Sequence, residues 1–117
     1  MNFNLENKED IFIFKILEKS VEGEISAELK TKLLIATKTN IKGLILDLND
    51  VTLMDSSGLG ALLLAFRQHK EHNFPLVLVG VQDFLRTLMN ITRIDENFVY
   101  AVNVDEAIKI VKEAHNI

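Results

Sequence analysis

Residues 43–63 read GLILDLNDVTLMDSSGLGALL and contain the change of pattern that decides the fold class. The segment Gly43–Leu48 is short and almost continuously apolar, which is typical of a strand covered on both faces of a sheet. Beyond Asp55 the apolar residues recur at the i, i+3, i+4 and i+7 spacing of an amphipathic helix, with Leu59, Leu62, Leu63 and Phe66 facing inward. We therefore predict a central strand, a polar turn and a helix, in this order.

The same alternation continues on both sides of this stretch. Ile11–Leu17 is rich in β-branched and aromatic residues, and Phe3–Leu5 is predicted to pair with it as an edge strand. A first helix is predicted from about Val21 to about Thr39, with Ser20 as its N-cap. In the rest of the chain, strands are predicted at Leu76–Val79 and Phe98–Ala101. A helix is predicted between them, from Val81 to about Met89, with Phe84, Leu85 and Leu88 facing inward. A final helix capped by Asn103 follows. This order indicates an α/β domain with a mostly parallel sheet of about four to five strands and about four helices.

Length and composition narrow the class of protein. A chain of 117 residues with 48% apolar and 26% charged residues fits one globular domain, spanning 1–117. The net charge of −4 is spread along the chain, so we expect no nucleic-acid binding. The absence of cysteine excludes disulfides, thiolate catalysis and cysteine-ligated metals. The acidic N-terminus lacks signal-peptide features and no apolar run is long enough to span a bilayer, so we expect a cytoplasmic protein without membrane insertion.

The junction Asp55–Gly60 is the strongest candidate site in the sequence. It is not a dinucleotide fingerprint, because the third glycine of G-x-G-x-x-G would fall on Leu63. It is not a nucleophile elbow either, because the first glycine of G-x-S-x-G would fall on Met54. From the residues alone, Asp55 or Ser56 caps the helix, and an exposed serine hydroxyl at this position can also receive a phosphate.

The other candidates for chemistry are weaker. His69 and His72 are three residues apart at the polar end of a predicted helix, and we expect both at the solvated surface. His115 lies in the terminal tail, and the carboxylates of Asp47 and Asp55 alone would bind a cation only weakly. We therefore predict neither a metal site nor a cofactor. A small serine hydrolase stays open as the alternative from another functional class.

Residues 46–63 resemble the signature of the STAS domain, and most closely that of its single-domain bacterial anti-anti-sigma factors, the anti-sigma factor antagonists. The run DL-x-x-V-x-x-x-DSSGLG stands at residues 47–60, with the expected strand before it and the expected helix after it. The likeness extends over nearly the whole chain, including the Leu76–Gly80 strand, the Phe84–Leu88 helix and the closing helix at Glu106-Ala107. It implies a single domain with a mixed sheet and helices, no enzymatic activity and no cofactor.

The resemblance also implies a phosphorylation switch. An unphosphorylated antagonist binds an anti-sigma factor that is also a serine kinase and thereby frees a sigma factor, and a serine phosphatase acts on the phosphorylated form. By the family motif Ser56 is the phosphate acceptor, and the implied switch-loop and partner-binding residues are Asp55, Ser57, Gly58, Leu59, Gly60 and Glu22. STAS domains also serve as scaffolds in stress-signalling complexes and as subunits of lipid-transport machines, which is the alternative function.

One segment departs from the family pattern. The family usually carries G-x-L-D between the second strand and the first helix, and by chain length its counterpart here is Lys19-Ser20-Val21-Glu22. Aligning Gly23-Glu24-Ile25-Ser26 instead would shorten the first helix by about a turn, so the earlier segment is preferred. In either alignment the glycine or the aspartate is altered.

Overall fold

The computed structural model describes residues 1–38 and 40–115. Over this part of the chain there are seven strands, four α-helices and one short 3₁₀ helix at Asp95–Asn97. In chain order they are β1 Phe3–Lys8, β2 Ile11–Ile16, β3 Ser20–Val21, α1 Gly23–Ala36, β4 Gly43–Asp47, β5 Leu53–Met54, α2 Ser56–His72, β6 Leu76–Val79, α3 Asp83–Ile91, β7 Val99–Ala101 and α4 Val104–Ala114.

Five of the strands form the main sheet, in the order β1-β2-β4-β6-β7. Strands β1 and β2 are antiparallel and form a hairpin, whereas each of the other neighbouring pairs is parallel. The strand predicted to be central, β4, lies in the middle of the sheet with all five of its residues buried. The predicted α/β fold with a mixed, mostly parallel sheet and four helices is confirmed.

Helices cover both faces of the sheet, which explains why its strands are apolar on both sides. In β4, Leu44 and Leu46 belong to the apolar cluster formed with α1, α2 and α3. The intervening Ile45 belongs to the cluster on the other face, with α4. Gly43 allows α4 to approach closely, because a Cβ at this residue would lie 2.5 Å from Cγ1 of Val111.

The start of the first helix differs from the prediction. Ser20 and Val21 form β3, which pairs in parallel with β5, so α1 begins only at Gly23 with Glu22 as its N-cap residue. Ser20 is therefore not the cap. The predicted end at Thr39 lies outside the described residues, and α1 ends at Ala36. The pairing of β3 with a strand more than thirty residues away is a tertiary contact that local helical spacing does not reveal.

The helices after the motif follow the prediction in most respects. In α2, Leu59 and Leu62 are buried as predicted, whereas Leu63 and Phe66 are half-buried and pack against the edge of the core. Helix α3 begins two residues later than predicted, and its inward stripe shifts accordingly: Leu85 and Met89 are fully buried, Leu88 is half-buried and Phe84 is exposed.

Candidate functional site

The junction between β5 and α2 is organised by the carboxylate of Asp55. Its backbone is extended at the N-cap of α2, and its Oδ1 accepts hydrogen bonds from the Gly58 amide at 3.0 Å and from the Ser57 hydroxyl at 2.6 Å. These bonds satisfy a free amide of the first helical turn. Of the two cap candidates in the sequence, the structure selects Asp55.

The two serines of the motif stand in different environments. The Ser57 hydroxyl is hydrogen-bonded to Asp55, and the Ser57 side chain is half-buried. Ser56 is the first residue of α2 and is exposed. Within residues 1–38 and 40–115, its hydroxyl forms no hydrogen bond. Ser56 is therefore the serine whose hydroxyl can reach a partner without breaking a contact in this part of the protein.

The start of α1 lies beside the start of α2. Hydrogen bonding from Ser57 lowers the pKa of the Asp55 carboxyl below its ordinary value, and the Gly58 amide adds to this effect. The amide of Gly23, the first residue of α1, also lowers that pKa. The ionised form of the Asp55 carboxylate is thus stabilised by the first turn of α2 and, to a smaller extent, by the start of α1.

The glycines of the motif have different packing roles. A Cβ on Gly58 would lie 2.4 Å from Cγ of Met54 and 2.6 Å from the carbonyl oxygen of Val21, so glycine is required for α2 to approach β3 and β5. A Cβ on Gly60 would lie 3.2 Å from the ammonium nitrogen of Lys30, because the end of the Lys30 side chain lies against α2 at Gly60. Gly58 therefore fixes the junction, and Gly60 leaves room for a side chain of α1.

The segment that departs from the family pattern lies next to this junction. The carbonyl of Lys19 accepts hydrogen bonds from the amides of Thr52 and Leu53, at 2.8 and 3.0 Å. The Glu22 side chain is exposed and accepts a hydrogen bond from the Ser20 hydroxyl instead of capping α1. Lys19–Glu22 thus lies between β2 and α1 and is held against β5.

Two neighbours of the junction become apparent only in the folded structure. Leu53 stands two residues before Asp55 with about half of its surface exposed, at 50%. Lys30 reaches the junction from the second turn of α1. The sequence carried little signal for either residue, because Leu53 lies in a two-residue strand and Lys30 becomes a neighbour of α2 only through helix packing.

The other candidate residues lie elsewhere and form no second site. His72 is exposed as predicted, but His69 is half-buried, with Phe66 and Phe74 against its ring and its Nδ1 in contact with the Phe74 carbonyl. Asp47 is buried and accepts hydrogen bonds from the backbone and side-chain amides of Asn49. Over the described ranges 1–38 and 40–115, no three His, Asp or Glu side chains are grouped so as to hold a metal ion. No helix in these ranges is both long and apolar enough to cross a bilayer.

The sequence of the chain is similar to characterised bacterial proteins. The family model described as "STAS domain" matches residues 2–107. The anti-sigma-B factor antagonist of Listeria monocytogenes is 36% identical over 106 residues, which cover 82% of this chain and 86% of that protein.

Solved structures share the fold at lower identity. The anti-sigma factor antagonist SpoIIAA in its unphosphorylated form superposes with a TM-score of 0.81 at 18% identity, covering 96% of this chain and 97% of that chain. A chain from the stressosome, a signal integration and transduction hub, superposes with a TM-score of 0.77 at 18% identity, covering 97% of this chain and all of that chain. The match of the family model over residues 2–107 establishes that the chain belongs to the STAS domain family, and these structures share its fold.

Proposed function

We propose that this protein, acting as one STAS domain over residues 1–117, is an anti-sigma factor antagonist of the cytoplasm. In its unphosphorylated form it binds an anti-sigma factor that is also a serine kinase and so releases a sigma factor. Transfer of a phosphate from ATP to Ser56 ends this binding, and a serine phosphatase restores it. The single observation that carries the proposal is the exposed, uncommitted Ser56 hydroxyl at the start of α2. The 36% identity to the Listeria antagonist supports it.

A phosphate on Ser56 changes the character of the contact surface. It adds about −1.5 to −2 charges at neutral pH. The neighbouring charges at the two helix starts include Glu22 and Asp55, so the added charge increases an acidity that is already present. Desolvating a charge of this size under a partner that evolved to contact a neutral hydroxyl costs several kcal/mol, and each ~1.4 kcal/mol lowers affinity tenfold. Phosphorylation therefore releases a partner without any need for the fold to change.

The partner surface that we propose surrounds Ser56. It consists of the switch loop Asp55–Gly60, with Leu59 holding the helix in the core, and of Glu22 on the adjoining segment. The exposed Leu53 adds an apolar contact beside the polar ones. Such a combination of an apolar anchor and a polar rim is typical of specific protein interfaces.

We propose that the chain itself has no enzymatic activity and needs no cofactor. The histidines do not support a serine hydrolase. Ser56 and His69 stand thirteen residues apart on the same helix, which corresponds to about 20 Å along its axis. His115 contacts the carbonyl of Lys42 ahead of β4, whereas Ser56 follows the strands at the other end of the sheet.

The experiment that tests the proposed function combines capture and reconstitution. The wild-type protein and the Ser56→Asp variant are used as baits in a native lysate, and a retained ATP-binding kinase is then purified and titrated against both. We expect the kinase to bind the wild type and to bind Ser56→Asp at least tenfold more weakly. A kinase that binds both equally, or ATP hydrolysis by the purified bait alone that survives repurification, contradicts the proposal.

The second candidate is a role as a scaffold in a stress-signalling complex, since a chain of the stressosome shares the fold. This role predicts that the bait elutes in a large assembly and captures other STAS proteins in place of a kinase. A subunit of a lipid-transport machine would instead copurify with membrane proteins. Size-exclusion chromatography of the native complex separates these outcomes from a small complex with a kinase.

A further inference from the structure

The seam between α1 and α2 holds a cation close to the switch serine. The ammonium nitrogen of Lys30 lies 3.2 Å, and its Cε 3.4 Å, from the position that a Cβ on Gly60 would occupy. The Lys30 side chain is half-buried. Among the side chains of residues 1–38 and 40–115, no carboxylate forms an ion pair with it. In the described chain, Lys30 is therefore a positive charge on the seam without an anionic partner.

The geometry of α2 brings this cation within reach of Ser56. Ser56 and Gly60 are four residues apart on α2, so their Cβ positions share one face and lie about 5–6 Å apart. Long side chains on a helix lean toward its N-terminus, which for α1 is the end beside Ser56, so a movement of the Lys30 ammonium in this direction brings it toward Ser56. The four-carbon stem is flexible, and phosphate oxygens on Ser56 would stand farther out than its hydroxyl.

The other charged groups at this end would not stabilise a phosphate in the same way. Glu22, Glu24 and Asp55 are acidic and repel it. Lys19 is basic but belongs to the exposed segment ahead of β3. Lys32 lies on α1 too, but its ammonium stands over the ring of Phe3, 4.8 Å from the centroid. Of the two lysines of α1, Lys30 is thus the one whose ammonium contacts α2, one helical turn from Ser56.

We propose that Lys30 is the cationic partner of a phosphate on Ser56. On phosphorylation its ammonium moves from its position across Gly60 to the phosphate oxygens and ties α1 to α2 by an ion pair. This inference rests on the proposed function, because it takes Ser56 as the phosphorylated residue. The ion pair offsets the repulsion from Asp55 and Glu22, so the phosphorylated protein keeps its fold and presents a changed surface. The absence of a side chain at Gly60 leaves the path of the lysine open.

The test uses the full chain with phosphoserine installed at position 56 during translation. Phosphorus NMR then follows the second ionisation of the phosphate in the wild type and in Lys30→Met. An ammonium nearby favours the dianion, so we expect the phosphate pKa in the wild type to lie about half a pH unit below that in Lys30→Met. Lys30→Arg, which keeps the charge, should retain the low value, and Lys32→Met and Lys19→Met should titrate like the wild type.

An equal phosphate pKa in Lys30→Met and in the wild type overturns the proposal. A raised phosphate pKa in Lys19→Met, with that of Lys30→Met unchanged, also overturns it. Circular dichroism shows whether each protein is folded. If the phosphoserine protein that retains Lys30 is unfolded, the proposal is overturned. If Lys30→Met unfolds only when it carries the phosphate, the proposal is supported. Because no kinase takes part, this measurement tests the role of Lys30 separately from the identity of the partner. Failure of a binding kinase to modify Ser56 would count against that function alone.

Discussion

The Ser57 hydroxyl donates a hydrogen bond to Asp55 Oδ1 over 2.6 Å, and this contact makes the two adjacent serines unequal. Ser57 contributes to the cap of α2, while Ser56 projects from the same turn into solvent. A molecule that approaches this turn therefore meets one hydroxyl that is hydrogen-bonded within the fold and one that is free to react or bind.

We expect one phosphate per chain when the wild type is incubated with ATP and the kinase captured in the proposed experiment, and peptide mapping should place it on Ser56. Ser56→Ala should accept none and still bind the kinase, because an exposed side chain is removed and the cap is untouched. Ser57→Ala should still be phosphorylated, though more slowly, since the turn loses a hydrogen bond. A phosphate mapped to Ser57 would show that the residue assignment is wrong.

Replacing the cap residue should destabilise α2. Asp55→Ala removes the acceptor for the Gly58 amide and the Ser57 hydroxyl, so we expect the melting temperature to fall by several degrees. Glu22→Ala is the matched control, because Glu22 occupies the N-cap of α1 without a capping hydrogen bond from its side chain. Its melting temperature should stay within about 2 °C of the wild type. Equal losses in the two variants would contradict the role of Asp55.

The stabilising effect of Asp55 should depend on pH. The pKa of Asp55 is lowered in the folded state, chiefly by the Ser57 hydroxyl. A group with a lowered folded pKa stabilises the fold fully above its unfolded pKa, which for aspartate is about 3.9, and this stabilisation is lost as pH falls through the folded pKa. The difference in unfolding free energy between the wild type and Asp55→Asn, measured in urea, should be largest near pH 6 and should shrink as the pH falls below about 3.9. A constant difference over this range would exclude the ionised carboxylate as its cause.

Two glycine substitutions should have opposite effects. Gly58→Ala places a methyl group against Met54 and the backbone of Val21, so we expect a loss of about 1–3 kcal/mol in the free energy of unfolding. Gly60→Ala meets only the flexible end of Lys30 and gains helix propensity, so the change should range from none to a gain of about 1 kcal/mol. Denaturant unfolding of both variants measures this. A destabilisation by Gly60→Ala as large as that by Gly58→Ala would show that the seam is tighter than the structure indicates.

Neighbouring leucines of α2 should differ in their contribution to the core. Leu62 is fully buried, so Leu62→Ala should cost about 2–5 kcal/mol of unfolding free energy. Leu63 is half-buried at the margin of the same cluster, and Leu63→Ala should cost less than half as much. Chemical denaturation with both variants tests the rotation of the helix. The reverse order would mean that α2 faces the sheet with a different stripe.

The sequence by itself determined the α/β class, the central position of β4 and the helix after the motif. These features depend on periodicity within short windows, and such periodicity is written directly into the chain. The motif also marked Asp55 and Ser56, because a capping residue and a serine beside glycines are recognisable from their residue types. It left open which of the two residues is the cap.

The tertiary structure decided what depends on residues far apart in the chain. Because β3 pairs with β5, the first helix begins at Gly23 and not at the predicted Val21. The local sequence pattern carries no information about this pairing. Asp55 is the cap because its carboxylate accepts hydrogen bonds from the Gly58 amide and the Ser57 hydroxyl. Both bonds require a side-chain geometry that exists only in the folded protein. Lys30 becomes a neighbour of Gly60 only because α1 and α2 pack side by side, and this packing follows from burial of their apolar faces on the sheet and not from the spacing of any motif.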